Sequence, residues 1–215
     1  MPKYIYLMKV DKRLISRIFD TCVEVLRDFA EAKRWNLNER EINFICRKAS
    51  RNPLKYRSIL GDELRKRNLD PTDSIGITRE TLEKLGWMSE EYSVARAVET
   101  TRGEVPLEEG FMEFEIYDTG LHLVLDGKFI KDVMDRYGFT EDDWEELEST
   151  IADMALEGRI PTSAIIKAYV LDSEDAEDLL KEGVPVLQGM FSGYTIDKNY
   201  WREALHKLWE KWYSL

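Results

Sequence analysis

A long stripe of apolar residues marks the first predicted helix of this 215-residue chain. Between residues 12 and 35, apolar side chains recur every three or four positions, which is the period of an amphipathic helix. The opposite face mixes basic and acidic residues at the same spacing and is expected to face solvent. Asp11 can cap this helix, and residues 3–9 before it are predicted as a short strand. The stripe consists of Leu14, Ile15, Ile18, Phe19, Cys22, Val23, Leu26, Phe29 and Ala30.

Capping residues and a proline divide the following segment into shorter helices. Asn38 is predicted to cap a helix over 39–51. Asn52-Pro53 ends it, because proline disfavours helical backbone in the residue before it, and Pro53 opens a third helix to about residue 67. Two further helices are predicted, capped by Thr78 and Ser89, over 78–86 and 89–101.

Alternation of apolar and polar residues predicts a β-hairpin later in the chain. Phe111–Tyr117 and Leu121–Leu125 alternate on either side of Asp118-Thr119-Gly120, a typical turn sequence. Asp126-Gly127 is a second candidate for a tight turn, so Lys128–Ile130 is predicted as a third strand. The remaining helices are predicted at 131–137, at 141–157 after Thr140, at 174–182 after Ser173, and from Asp197 to Tyr213.

These elements predict a predominantly helical α+β protein in two parts. Residues 1–103 form a basic, mainly helical N-terminal part. Residues 104–215 form an acidic α+β part, in which helices pack on a small antiparallel hairpin or meander and the last helix is rich in tryptophan. A linker-like segment, 102–106, lies at the border.

Formal charge divides the chain in a similar way. Residues 1–70 carry 17 Lys and Arg against 10 Asp and Glu, whereas residues 71–215 carry 14 against 32. Most of the deficit lies between Glu104 and Glu182, with 6 basic and 23 acidic residues. A basic surface attracts phosphates and an acidic one repels them, so the two parts are expected to have different partners.

The predicted helix 39–51 carries a row of cations on one side. At 100° per residue, its apolar positions fall on the opposite side from Arg40, Phe44, Arg47 and Arg51, with Lys48 at the edge. Guanidinium groups pair with phosphate oxygens, and an aromatic ring can stack on a base or sugar. We therefore predict that these five residues contact nucleic acid. The alternative is a solvated helix face with Phe44 packed under a neighbouring element.

The acidic part offers a second candidate surface. Trp201, Trp209 and Trp212 share one stripe of the terminal helix, and tryptophan is enriched at interaction hot spots. They are candidates for contact with a protein partner or a second copy of the chain, with burial in the core as the alternative. The acidic segment itself can dock on a basic protein or mimic nucleic acid, or can serve only solubility.

No catalytic, metal or cofactor site is predicted. The sequence contains no P-loop, no zinc-ligand spacing of Cys and His, and no Gly-x-Ser-x-Gly element. His122 lies between Asp118 and Asp126, but a lone strand histidine is more often structural. Asp126 and Lys128 have the spacing of the acid-x-lysine element of many metal-dependent nucleases. With Asp118 as a further acid, such a nuclease is a third hypothesis. A hairpin turn explains the same Asp-Gly pair more simply.

Cysteine content and hydropathy indicate the cellular compartment in which the protein is expected to reside. Cys22 and Cys46 both fall on apolar stripes, so buried reduced thiols are expected; a disulfide would require the two to be adjacent in space. No apolar run approaches the roughly 20 residues that span a bilayer, and the first ten residues lack the core of a signal peptide. We expect a cytoplasmic protein that does not contact membranes.

Two functional hypotheses follow from these surfaces. The leading one is a non-enzymatic regulatory or accessory protein that contacts nucleic acid through the basic helix face. The alternative is a protein-binding factor or inhibitor that acts through the acidic part and the aromatic terminal helix. The nucleic-acid hypothesis requires that the arginine row is exposed in the folded chain.

Overall fold

The computed structural model describes residues 12–87, 107–189 and 193–213. Within these ranges the chain forms eight α-helices and one five-stranded antiparallel sheet. The predicted class, α+β with helix predominating, is confirmed. The strand predicted at 3–9, the helix predicted from Ser89 and the linker predicted at 102–106 lie outside the described residues.

The N-terminal part consists of four helices in its described residues. Helix α1 packs against α2 and α4, and α3 packs against both α2 and α4. A 3₁₀ turn at Pro53–Lys55 precedes α3, as expected where proline occupies the first turn. The helices are α1 Lys12–Ala32, α2 Glu39–Ser50, α3 Tyr56–Lys66 and α4 Asp73–Lys84.

A disulfide joins the first two helices. Cys22 of α1 and Cys46 of α2 are bonded, with 5.6 Å between their Cα atoms, and neither is exposed. The expectation of reduced thiols is therefore wrong. Each cysteine lies on the apolar stripe of its helix, and the packing of α1 on α2 places the two stripes face to face at the same level.

Helix α4 begins earlier than the sequence predicts. It starts at Asp73, and Thr78 lies inside it, fully buried, where its hydroxyl donates to the carbonyl of Ser74 at 2.7 Å. The prediction that Thr78 caps a short helix is therefore wrong. A buried threonine can satisfy its hydroxyl within its own helix, so a cap residue alone does not fix where a helix begins.

The sheet has the strand order β1-β2-β3-β5-β4, with every neighbouring pair antiparallel. The predicted hairpin is confirmed as β1 and β2, in which Glu115 faces His122 across the ladder. The other three strands are not predicted from the sequence. The strands are β1 Phe111–Glu115, β2 Leu121–Asp126, β3 Ile165–Val170, β4 Val186–Gln188 and β5 Tyr194–Ile196.

Asp126-Gly127 begins a helix and does not form a hairpin turn. The Asp126 carboxylate accepts a hydrogen bond from the amide of Lys128 at 3.0 Å and caps α5, Gly127–Tyr137. A Cβ on Gly127 would lie 1.7 Å from the carbonyl oxygen of Leu107, so only glycine fits there. The third strand predicted at Lys128–Ile130 is therefore wrong.

Three further helices complete the C-terminal part. The predicted helix 141–157 begins later, at Trp144, and the cap of α7 is Asp172 in place of the predicted Ser173. Asp197 caps a short 3₁₀ turn that leads into α8. Helix α5 contacts β1 and β2, α6 contacts β1, α8 contacts β2, and α7 contacts β3 and β4. These helices are α6 Trp144–Leu156, α7 Ser173–Lys181 and α8 Trp201–Tyr213.

The two predicted parts meet at strand β4. The Gln188 side-chain oxygen accepts hydrogen bonds from the backbone amide and the hydroxyl of Ser58, at 3.1 and 3.3 Å. Buried apolar side chains from both parts belong to one continuous core. The border predicted at residues 103 and 104 lies outside the described residues, so the division into two parts stays a prediction.

Candidate nucleic-acid interface

Helix α2 is fixed at its start and along its inner face. Asn38 and Glu41 form a reciprocal capping box, in which each side chain accepts from the backbone amide of the other. The inner face is buried, and the disulfide at Cys46 ties it to α1. A helix held in this way presents its outer face in one defined orientation. The buried residues are Ile42, Ile45, Cys46, Ala49 and Ser50.

The outer face of α2 carries the arginine row predicted from the sequence. Arg40, Arg47 and Arg51 are exposed, and none of them forms an ion pair with any residue in the described ranges. Phe44 lies between them in the row, and half of its surface is exposed. The exposure of Phe44 contradicts its predicted packing under a neighbouring element, whereas the alternative of a solvated helix face fits the same exposure. The five predicted residues, including Lys48, are thus brought together on one surface, which we call the basic face.

A buried carboxylate of the neighbouring helix anchors one side of the basic face. The Glu63 side chain in α3 is 3% exposed and accepts hydrogen bonds from Lys48 at 2.7 Å, Lys66 at 2.7 Å and Arg67 at 2.9 Å. Burial alone would raise the pKa of Glu63, but these three hydrogen bonds outweigh it and lower the pKa to about 2. Glu63 is therefore ionised at neutral pH and holds three cations in place.

Two of these cations support the aromatic ring of the basic face. The Lys48 ammonium lies 5.4 Å and the Arg67 guanidinium 5.9 Å from the centre of the Phe44 ring, within the range of cation–π contacts. Arg67 Nε is buried and has no hydrogen-bond partner among the described residues, and Glu41 lies 3.8 Å from it. The ring thus rests on groups that Glu63 fixes, while its other half faces solvent.

The sequence identified the row on α2 but not the anchor beneath it. Lys66 and Arg67 are recognisable in the sequence only as cations close to the row along the chain. Their shared partner, Glu63, lies three and four residues earlier, which is the spacing of neighbours on a helix face. That spacing is the signal that could have found them.

The three tryptophans of the terminal helix differ in exposure. Trp201 is fully buried, and its indole N–H donates to the Thr162 hydroxyl at 3.2 Å, so it belongs to the core and to no surface. Trp209 is half-buried, and Trp212 is 52% exposed. The predicted stripe is therefore split: its first member packs the domain, and its last members face outward.

The outward end of the stripe borders a shallow groove. Trp209 stacks on Tyr213 at 4.2 Å between ring centres and meets the edge of Tyr117 at 6.2 Å. The Tyr213 hydroxyl donates to the carbonyl of Tyr117 at 2.9 Å. This groove, which we call the aromatic groove, has a volume of about 380 Å³ and lies between the end of α6 and α8. Its lining includes Leu156, Glu157, Arg202, Leu205, His206 and Trp209.

The residues considered for catalysis have structural partners. His122 pairs with Glu113 at 2.9 Å and stacks on Tyr169, whose hydroxyl also donates to Glu113. Hydrogen bonds from His122 and Tyr169 outweigh burial and lower the pKa of Glu113. Asp126 serves as a helix cap, so the acid-x-lysine spacing that it shares with Lys128 has a structural explanation.

Comparisons with protein-family models, with curated proteins and with solved structures find no match to this chain. None of the helices in the described ranges is long and apolar enough to cross a bilayer. In the same ranges, no group of three or more His, Cys, Asp or Glu residues could hold a metal ion. The basic face and the aromatic groove are therefore the two candidate binding surfaces in the described part of the chain.

Proposed function

We propose that this protein is a non-enzymatic regulatory or accessory protein that binds nucleic acid through the basic face. The observation that carries the proposal is the exposure of Arg40, Arg47 and Arg51, which make no ion pair within the described part of the chain. Guanidinium groups in this state lose no internal partner when they bind phosphates. Because the groups share one helix face, they can contact one backbone together.

The distribution of charge along the chain supports binding of a polyanion at the basic face. The chain carries a formal net charge of −11, which alone would repel a polyanion. The acidic residues are concentrated in 104–182, whereas the basic face lies on α2, so a polyanion can approach it locally. At physiological salt, screening limits the range of the repulsion from distant carboxylates to about 8 Å.

Binding to a labelled 20-nucleotide DNA or RNA, followed by fluorescence polarisation at low salt, tests this proposal. We expect binding that weakens steeply with salt, because phosphate contacts release counterions. Arg47→Glu should weaken binding to every sequence and reduce the salt slope by about one. Arg136→Glu in α5 makes the same charge change at another exposed site and should have little effect. Equal losses in both variants, or no binding at all, would refute the proposal.

The aromatic groove supports a second candidate function, a protein-binding factor or inhibitor. Trp212 and Tyr213 of the same helix are each 52% exposed, and Tyr213 stacks on Trp209 of the groove lining. Exposed aromatic rings are typical of interaction surfaces. The surrounding acidic part favours a basic protein as the partner. Titration with a fluorescent 20-residue oligolysine peptide bearing one central tryptophan tests this candidate. Trp212→Ala should weaken binding, whereas Tyr137→Ala, at an exposed ring outside the groove, should not; equal effects would refute it.

The disulfide is evidence about the cellular location of the protein, which the sequence predicts to be the cytoplasm. Disulfides persist in oxidising compartments and are rare in the cytosol of most organisms. The Cys22–Cys46 bond therefore argues against that location. Thiols counted after lysis in an alkylating agent decide the point, because two alkylated cysteines would indicate a reducing compartment and none an oxidising one.

A further inference from the structure

We infer that the ligand of the basic face is single-stranded nucleic acid, and that one unpaired base stacks on Phe44 between phosphates held by Arg40 and Arg47. This inference rests on the proposed function and names its substrate class. It is carried by the half-exposed ring at the centre of an arginine row. Phosphate binding alone requires no ring at this position.

The position of Phe44 is what separates single strands from duplexes. A large apolar ring exposed among cations gains nothing from a regular duplex backbone, whose bases already stack on one another. An unpaired base offers its π-face to the ring, and such stacking is independent of sequence. Surfaces that bind single strands combine a row of cations with an aromatic ring in this way.

The ring is held in place before any ligand arrives. Lys48 and Arg67 lie against Phe44, and both are fixed by the buried carboxylate of Glu63. A ring with little freedom to lose binds a base at a lower entropic cost. These two cations are partly neutralised by Glu63, which leaves the unpaired arginines of α2 as the main phosphate contacts.

The length of the row sets the size of the site. Eleven residues separate Arg40 from Arg51, which corresponds to about 16 Å along a helix that rises about 1.5 Å per residue. At about 3.4 Å per nucleotide, the spacing in a fully stacked strand, the row spans at most about five nucleotides. A ten-nucleotide oligomer is therefore long enough to occupy the whole face.

The test compares a ten-nucleotide oligothymidine with a ten-base-pair hairpin duplex, both labelled, at low salt. The wild type should prefer the single strand. Phe44→Leu should weaken single-strand binding about tenfold, which is about 1.4 kcal/mol, because base stacking is lost while the phosphate contacts persist. Its salt slope should be unchanged. Phe44→Trp should bind at least as tightly as the wild type, and Tyr137→Leu, which removes an equally exposed ring elsewhere, should bind normally.

A second measurement does not depend on Phe44→Leu. The indole emission added by Phe44→Trp, taken as the difference from the wild type, should be quenched by oligothymidine and not by the duplex. Equal affinity for both ligands, with Phe44→Leu unchanged and no differential quenching, would overturn the inference while the proposed function stands. Absence of binding to either ligand would overturn both.

Discussion

Glu63 is the residue on which the geometry of the basic face depends most. It is one of few charged side chains buried in the described ranges, and it compensates three cations at once. A buried carboxylate is stable only when such partners offset the loss of hydration. Its removal would leave Lys48, Lys66 and Arg67 close together without a counter-charge. Glu63 thus stabilises the fold and also fixes the cations against which the Phe44 ring packs.

Glu63→Gln should lower the free energy of unfolding by about 2 kcal/mol at pH 7, because three close cations lose their shared carboxylate. The loss is smaller than for a fully buried ion pair, because the three cations reach solvent. Urea denaturation measures the change. Asp62→Asn removes a carboxylate from the same helix whose ion pair with Arg65 is exposed, and should cost no more than about 0.5 kcal/mol. Similar losses in the two variants would contradict the role of Glu63.

The pKa of Glu63 predicts how its contribution depends on pH. The folded value, about 2, lies below the ordinary value of 4.5, so the folded state favours the ionised form. The contribution is complete above about pH 4.5 and is lost as the pH falls towards 2. The stability gap between wild type and Glu63→Gln should therefore be constant from pH 7 to 5 and fall to less than half by pH 3. A gap that stays constant down to pH 3 would contradict the lowered pKa.

At the scale of elements, local signals predicted some boundaries and tertiary contacts set others. The capping box at Asn38 and the alternation in the hairpin are local, and both elements form where the sequence places them. Asp126-Gly127 suits a turn and a helix start equally well; in the fold it starts α5, where the backbone of Leu107 packs closely on Gly127. The central strand β3 is mostly apolar but contains the buried Lys167, and its burial pattern does not alternate, so the sequence has no strand period there.

The cysteines and the anchor of the basic face follow the same rule. Helical periodicity places Cys22 and Cys46 on buried stripes, but only the packing of α1 on α2 brings the sulfurs together. The arginine row was predictable because it lies within one helix. The spacing of Glu63 to Lys66 and Arg67 is also local, but the contact of Glu63 with Lys48 joins two helices and could not be predicted from the sequence.

Gly127→Ala should destabilise the protein by at least about 3 kcal/mol, because its Cβ would overlap a backbone carbonyl that cannot move aside cheaply. Gly61→Ala is the matched control within α3, where the nearest atom, Ser74 Oγ, lies at 3.4 Å. Higher helix propensity should make that variant equal to the wild type or more stable by up to about 1 kcal/mol. Thermal unfolding of both variants measures the difference. A Gly127→Ala protein as stable as the wild type would refute the close approach.

The disulfide between α1 and α2 should contribute about 3 kcal/mol, as expected for a bond that closes a loop between residues 24 apart. Reduction of the wild type should lower the urea midpoint by a corresponding amount. The double variant Cys22→Ala/Cys46→Ala should unfold at a similarly low midpoint and should not respond to reductant. Two free thiols in the denatured, unreduced protein would show that the bond is absent.

At the scale of the whole molecule, charge and packing divide the chain differently. The formal charge separates a basic N-terminal part from an acidic segment, so the surface presents two kinds of potential. The apolar core crosses that division, with buried residues of both parts in one cluster. The two proposed binding surfaces therefore rest on one shared core.

The shared core predicts that the two parts unfold together, although their charges suggest two domains. Trp87 in the N-terminal part and Trp201 in the C-terminal part are both buried, and Ser58 is hydrogen-bonded to Gln188 across the junction. Loss of the disulfide, which lies wholly in the N-terminal part, should therefore lower the urea midpoint of β3 as much as that of α2. Hydrogen exchange of backbone amides in rising urea, compared between wild type and the double cysteine variant, reads both elements in one experiment. If β3 keeps its wild-type midpoint while α2 unfolds earlier, the chain consists of two independent domains, and the contacts at β4 do not couple them.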